Sequence, residues 1–188
     1  MTVGVLLLAA GSSRRFGSDK RLATLANGTR LLEAAIENCL HSDLPLKICI
    51  GAKDHDLHEA LDRRGLDIVL CPRSEQGMGA TLADAAECLA GWSAALVALG
   101  DMPMIRPATI TAIAMQASRD VICIPYYGQQ PGHPVAFGQN YFELLLQCEG
   151  DRGARWVIEK HPRAIRQVAV GDPGILQDVD TPEALREL

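Results

Sequence analysis

Leu6-Leu7-Leu8-Ala9-Ala10-Gly11-Ser12-Ser13-Arg14-Arg15-Phe16-Gly17-Ser18-Asp19-Lys20 is the stretch that decides how this chain is read. An apolar run, Val3 to Ala9, ends in small residues and passes into a loop loaded with positive charge. That is the pattern of a buried strand feeding a loop at the carboxyl end of an open α/β sheet, where such sheets bind ligands. Gly11 and Gly17 admit backbone geometries and close approaches that a side chain would block. Arg14, Arg15, Lys20 and Arg21 place four cations within eight residues, offset by Asp19. In a chain of net charge -5, so local a concentration points to a polyphosphate rather than to nucleic acid. The alternative is a solvated basic loop. Neither G-x-x-x-x-G-K-[ST] nor G-x-G-x-x-G fits the spacing, which excludes the P-loop and the dinucleotide fingerprint.

Composition narrows the class. At 188 residues the expectation is one domain, residues 1–188, long enough to bury a sizeable core. The acidic balance argues against nucleic-acid partners and anionic membrane surfaces. No stretch approaches the roughly 20 apolar residues needed to span a bilayer. Val3 to Ala10 lacks a basic start and runs straight into the charged loop, so a secretory signal is not expected. Six cysteines, at 39, 49, 71, 88, 123 and 148, form no C-x-x-C and no cluster with histidine. Buried, reduced thiols in a cytoplasmic protein are the expectation, rather than zinc or disulfides.

Apolar runs alternate with segments of helical period. Strands are expected at Val3–Ala9, Leu46–Ile50, Ile68–Cys71, Ala94–Leu99 and Val121–Pro125, and helices near Arg30–Leu40, Asp54–Arg63, Gly79–Leu89 and Ala108–Gln116. This alternation implies a mostly parallel sheet with helices on both faces. After Pro125 the rhythm changes: Gly128, Pro131 and Gly132 break the chain, and Pro134–Phe137 reads as an irregular or antiparallel excursion near the sheet edge. Helices at Tyr141–Gln147 and Gly153–His161 and a strand near Ile165–Val170 follow. Thr181 as N-cap, Pro182 in first helical position and Glu183 in the first turn make a sound helix start.

Several groups could carry chemistry. Asp101 ends the run Ala94–Gly100 and points into the same crevice as the first loop, or serves as a turn former before Met102-Pro103. Glycines at Gln76-Gly77-Met78-Gly79-Ala80-Thr81 could let a nucleotide approach the backbone, or could serve loop-to-helix packing. His133 sits in a Gly-Pro loop. Arg152 and Arg155 could pair with a phosphate, and Asp151 could cap a helix or line a site. Alternation puts Asp178 and Asp180 on one side of an extended segment, where one could reach a metal or simply favour the following helix start.

From Leu8 to Lys20 the chain reads L-A-A-G-x-S-x-R-x-G-x-x-K, and this resembles the signature of nucleotidyltransferases that activate cofactors and sugars, especially the molybdenum cofactor cytidylyltransferases. Phe16 stands where that family usually has Met. Gln76-Gly77-Met78, Gly100-Asp101-Met102-Pro103, Gly132-His133-Pro134-Val135, Gly150-Asp151-Arg152-Gly153-Ala154-Arg155 and Asp178-Val179-Asp180-Thr181-Pro182 are similar to further family elements, in order along the chain. Gly79 and Ala80 depart from the family's usual serines, and Cys71-Pro72 from its frequent Asn-Pro.

The resemblance implies a three-layer α/β/α domain of the Rossmann-like, nucleotide-diphospho-sugar transferase type. It implies transfer of a cytidylyl group from CTP to the phosphate of molybdenum-bound molybdopterin, with a recipient molybdoenzyme as a further partner. Arg15, Lys20 and Asp101 would be catalytic. Leu8, Ala9, Ala10, Gly11, Ser13, Arg15, Lys20, Gly79 and Thr81 would bind nucleotide, and His133, Asp151, Arg152 and Arg155 the acceptor. Asp101 and Asp180 would hold Mg2+. Family members using GTP tend to read A-G-G where this chain reads Ala9-Ala10-Gly11, and an alanine methyl narrows the pocket, favouring cytosine. Guanylyl transfer to the same cofactor, sugar-phosphate nucleotidyl transfer and a non-catalytic cofactor carrier are the alternatives.

Overall fold

A computed structural model describes residues 2–11, 16 and 19–186. Its described residues form strands β1 (Thr2–Leu8), β2 (Leu46–Gly51), β3 (Ile68–Cys71), β4 (Trp92–Leu99), β5 (Ile122–Tyr127), β6 (Gln130–Pro131), β7 (Val135–Gly138) and β8 (Ile165–Ala169). They make one sheet in the order β3-β2-β1-β4-β7-β5, with β8 on the far side of β5 and the short β6 pairing with the end of β5. β1 runs parallel to both β2 and β4, β2 parallel to β3, and β5 parallel to β8. Only β6 and β7 run against the others.

The central strands read as continuous apolar runs because both faces of the sheet are covered. Helices α1 (Leu31–Leu40), α2 (His55–Asp62), α3 (Met78–Ala86) and α4 (Pro107–Gln116) supply the larger part of the cover. Val5, Leu7 and Ala9 pack with Leu32, Ile36, Ile110 and Ile113 on one side. Leu6 and Leu8 pack on the other with Leu82, Ala85 and Leu89, joined by Leu145 and Val157. Those last two come from the short helices α5 (Phe142–Leu145) and α6 (Arg155–Lys160). Successive side chains of β1 thus feed opposite layers, as the period of two requires. The result is the expected three-layer α/β/α arrangement around a mostly parallel sheet.

The expectation for Pro134–Phe137 is corrected in one respect. The segment is antiparallel, but β7 lies inside the sheet, between β4 and β5, and all four of its residues are buried. Filling a gap between two parallel strands exposes neither edge, which is why Val135, Ala136 and Phe137 are all apolar. Opposite this strand, β5 advances three residues from Cys123 to Tyr126 while its partner covers five, from Ala136 back to Pro131. The two extra residues push the Gly132-His133-Pro134 segment out of the ladder as a bulge.

Element boundaries shift modestly. β4 begins at Trp92, α3 ends at Ala86, and the helix expected over 141–147 contracts to α5 after a tight turn at Gln139–Tyr141. The last helix, α7 (Pro182–Arg186), starts as expected, with the Ala184 amide donating to Thr181 Oγ1 at 3.2 Å. All six cysteines are free; Cys88 is exposed, unlike the other five, because α3 ends before it.

Candidate active site

The carboxyl ends of β1, β3 and β4 open into a cleft of about 840 Å³. β1 delivers Ala10 and Gly11 to its floor. A single helical turn, Lys20–Leu22, then aims Lys20 inward, while its neighbour Arg21 turns away from the cleft. Arg21 is a structural clamp. Its guanidinium binds the Asp54 carboxylate at 2.6 and 2.9 Å, the Asp19 carboxylate at 2.8 and 2.8 Å, and the Ala9 carbonyl at 3.1 Å. The Asp54 hydrogen bonds hold the Arg21 guanidinium well above its ordinary pKa, against the opposing effect of burial. The forked geometry of arginine suits such a multidentate role.

Asp101 follows β4, where Gly100 donates its amide to Leu8 at 2.9 Å and the Asp101 carbonyl accepts from Val179 at 2.9 Å. The second of these bonds fastens the chain's tail across the cleft. Val179 is fully buried, and Asp178 and Asp180 on either side of it both face the opening. Lys20 Nζ lies 2.7 Å from Asp101 Oδ2 and 3.0 Å from Asp180 Oδ1. Burial pulls the Lys20 pKa down, but its bonds to Asp101 and Asp180 outweigh this and raise it above the usual lysine value. Asp101 Oδ1 is buried without a hydrogen-bond partner among the described residues.

The other wall is made differently. Asp172, 2% exposed, accepts from the Arg106 amide, Thr109 Oγ1 and the Gly174 amide at 2.9, 2.6 and 3.0 Å. That network sets the turn carrying Ile175, whose carbonyl accepts from the His133 amide at 3.1 Å. Gly132 packs so tightly against the Ile175 backbone that a side chain there would collide. The His133 ring lines the cleft with Nδ1 buried and unpartnered among the described residues. Desolvation lowers its pKa, so the imidazole is neutral near pH 7.

Beyond it, residues 149–153 pack on the start of α3. The Gly79 amide donates to the Gly150 carbonyl at 2.6 Å, and a Cβ on Gly79 would sit 2.5 Å from the Glu149 carbonyl oxygen. Gly77, with φ of 121°, adopts a backbone that other residues rarely reach and leaves room for the Asp151 carboxylate.

Of the residues singled out in the sequence, Leu8, Ala10, Gly11, Lys20, Thr81, Asp101, His133, Asp151 and Asp180 line the cleft. Ala9 lies beneath it, buried, with its carbonyl engaged by Arg21. Gly79 also lies outside the lining, and its amide is committed to Gly150. Arg152 and Arg155 are exposed and bond Glu159 at 3.5 and 3.0 Å instead of reaching the cleft. Ser13 and Arg15 lie outside the described residues. Asp172 and the Arg21–Asp54 pair escaped the sequence reading: Thr109 and Asp54 lie 63 and 33 positions from their partners, and the one local sign is the Asp172 cap on the Gly174 amide.

The donor set suits a hard divalent cation. Asp101 and Asp180 offer carboxylate oxygens, and one Asp101 oxygen is buried with no partner among the described residues. Among the described residues no three His, Cys, Asp or Glu side chains cluster as a cage. Hard divalent cations can be held by one or two carboxylates, with the remaining positions left to water and substrate phosphates.

A mostly parallel sheet thus gathers a loop lysine, a strand-end aspartate and an acidic tail at its carboxyl ends, where open α/β sheets bind ligands. Residues 5–165 match the profile of the MobA-like NTP transferase domain, and the chain belongs to that family. Rv0371c from Mycobacterium tuberculosis H37Rv is similar over 100% of this chain and 97% of its own, at 28% identity and a TM-score of 0.85. A structure of Rv0371C in complex with manganese matches over 100% and 98%, at 25% identity and TM-score 0.80. Molybdopterin-guanine dinucleotide biosynthesis protein A from Archaeoglobus fulgidus shares the fold at 20% identity and TM-score 0.69, over 98% of this chain and 95% of its own. No curated protein matches the sequence. Among the described residues no helix is long and apolar enough to cross a membrane.

Proposed function

We propose that this chain transfers a cytidylyl group from CTP to the phosphate of molybdenum-bound molybdopterin. The observation that carries the reading is the convergence of Lys20, Asp101 and Asp180 beside the Ala10-Gly11 floor. An acceptor phosphate oxygen attacks the α-phosphorus of the triphosphate in line. The bond from that phosphorus to the bridging oxygen breaks, and pyrophosphate leaves with the electron pair. The acceptor monoester is already ionised near neutral pH, so no general base is required. The protein's contribution is to position two anions and to neutralise charge moving toward the leaving oxygen.

Lys20 contributes its ammonium to the triphosphate, and Arg15 and Ser13 of the same loop are proposed to join it. Asp101 and Asp180 would hold a divalent cation, Mg2+ in this reading; the manganese complex of Rv0371C supports the use of such an ion. Held by these carboxylates, such a cation would supply Lewis-acid neutralisation of phosphate charge at the reacting centre. Ala10 lines the cleft floor, and its methyl, set where GTP-using family members tend to carry glycine, is the support for cytosine over a purine. On the acceptor side, neutral His133 offers a hydrogen bond without adding charge, and Asp151 faces it from the loop on α3. Arg152 and Arg155, turned toward Glu159, are left out of the acceptor contacts in this arrangement.

Calorimetric titration with CTP, GTP, UTP and ATP in magnesium tests the nucleotide assignment. A CTP preference that Arg15→Ala removes supports it. A GTP preference moves the reading to guanylyl transfer, and no nucleotide binding leaves a cofactor carrier.

A further inference from the structure

We propose that Lys20 couples divalent-cation binding to triphosphate binding, by competing with the cation for Asp101 and Asp180. The inference rests on the reading of the cleft as a metal-dependent nucleotidyltransferase site. The Lys20 ammonium bonds one oxygen from each carboxylate, at 2.7 and 3.0 Å, and so joins residues that lie 79 positions apart in the chain (180 − 101). Whichever carboxylate oxygen a cation takes, an ammonium bonded to both groups stays within a few ångströms of it. Like charges that close repel, and partly buried pairs are screened less than exposed ones. The same ammonium engages one oxygen of each carboxylate, Asp101 Oδ2 and Asp180 Oδ1, and offsets part of their negative charge. Free metal therefore meets carboxylates that are already partly engaged and partly neutralised.

A triphosphate reverses both conditions. Its oxygens give the ammonium alternative charge-assisted partners, and its negative charge offsets the repulsion. Lysine suits this exchange because its charge rides on a flexible four-carbon stem. The base of that stem stays in place: Arg21 next door ties the turn to Asp19, Asp54 and the Ala9 carbonyl. Only the tip changes partners. The cation accordingly enters together with the triphosphate, and a neutral side chain at position 20 opens the carboxylates to metal alone.

The test is Mn2+ binding to the full chain without nucleotide, followed by calorimetry and by the spin-resonance signal of the free ion. Lys20→Met is expected to bind Mn2+ at least tenfold more tightly than the unaltered chain, and Lys20→Gln to behave alike. Adding Asp101→Asn to Lys20→Met should remove the gain. Thermal melts with and without Mn2+ give a second readout that also reports folding, and both Lys20 variants should show the larger metal-induced rise. Unchanged or weaker Mn2+ affinity in both variants, with the Asp101→Asn loss still present, overturns the coupling and leaves the metal-site reading standing. Mn2+ binding indifferent to Asp101→Asn overturns that reading, and the coupling with it.

Discussion

The two walls of the cleft are built by different rules. The wall formed by the ends of β1 and β4 comes from strands that lie side by side, parallel and buried on both faces. Its chemistry sits two or three residues past each strand end, as Ala10, Gly11 and Asp101. The opposite wall comes from a bulge in an antiparallel strand, a loop resting on α3 and an extended tail. Those pieces are joined by single backbone contacts: His133 to Ile175, Gly79 to Gly150, Val179 to Asp101. The first wall cannot move without the sheet. The second can be reshaped by a few substitutions that leave the sheet intact, so one fold can keep its nucleotide chemistry while changing its acceptor.

That contrast can be broken at defined points. Asp172→Ala should have the largest effect on stability. It removes one buried carboxylate and strands three donors, the Arg106 and Gly174 amides and the Thr109 hydroxyl, at a cost of about 3 kcal/mol or more. Urea denaturation measures the loss, and a change below about 1 kcal/mol would show that the tail is held by other means. Gly79→Ser should cost about 1–3 kcal/mol because its Cβ meets the Glu149 backbone. Acceptor KM should rise while CTP affinity changes little. A fall in CTP affinity with acceptor KM unchanged would instead put Gly79 on the nucleotide wall. Arg155→Ala should have the smallest effect, since that side chain is exposed and paired with Glu159. Steady-state kinetics should show less than about a twofold change in acceptor KM, within the ordinary range of surface substitutions. A tenfold rise would place the arginine in the acceptor site after all.

The same contrast explains what could be read from the sequence. Val3–Ala9 and Ala94–Gly100 announce buried strands by contiguity alone, and the residues that follow them inherit a position at the strand ends. Asp101 and Lys20 were therefore visible as partners in one crevice before any contact was known. The β6–β7 region was not, because a four-residue apolar run says nothing about whether it closes an edge or fills a gap. The surroundings of Gly79 were equally hidden: the backbone that a Cβ there would meet belongs to Glu149, 70 residues away (149 − 79). Residue type likewise could not show that Arg152 and Arg155 both bond Glu159, one helical turn from Arg155. Arg21 shows the same lesson in reverse. Among the basic residues of the first loop it reads like Lys20, and only a carboxylate from α2's entrance, 33 residues on, reveals it as the clamp that aims its neighbour.

The central claim is that Lys20, Asp101 and Asp180 form the transfer site. The most direct measurement is pyrophosphate release from CTP, with magnesium and molybdenum-bound molybdopterin, by the unaltered chain and by Asp101→Asn. The account predicts acceptor-dependent release that falls about 10²–10³-fold in the variant, with the fold unchanged by thermal melting. Equal rates in the two proteins would contradict it.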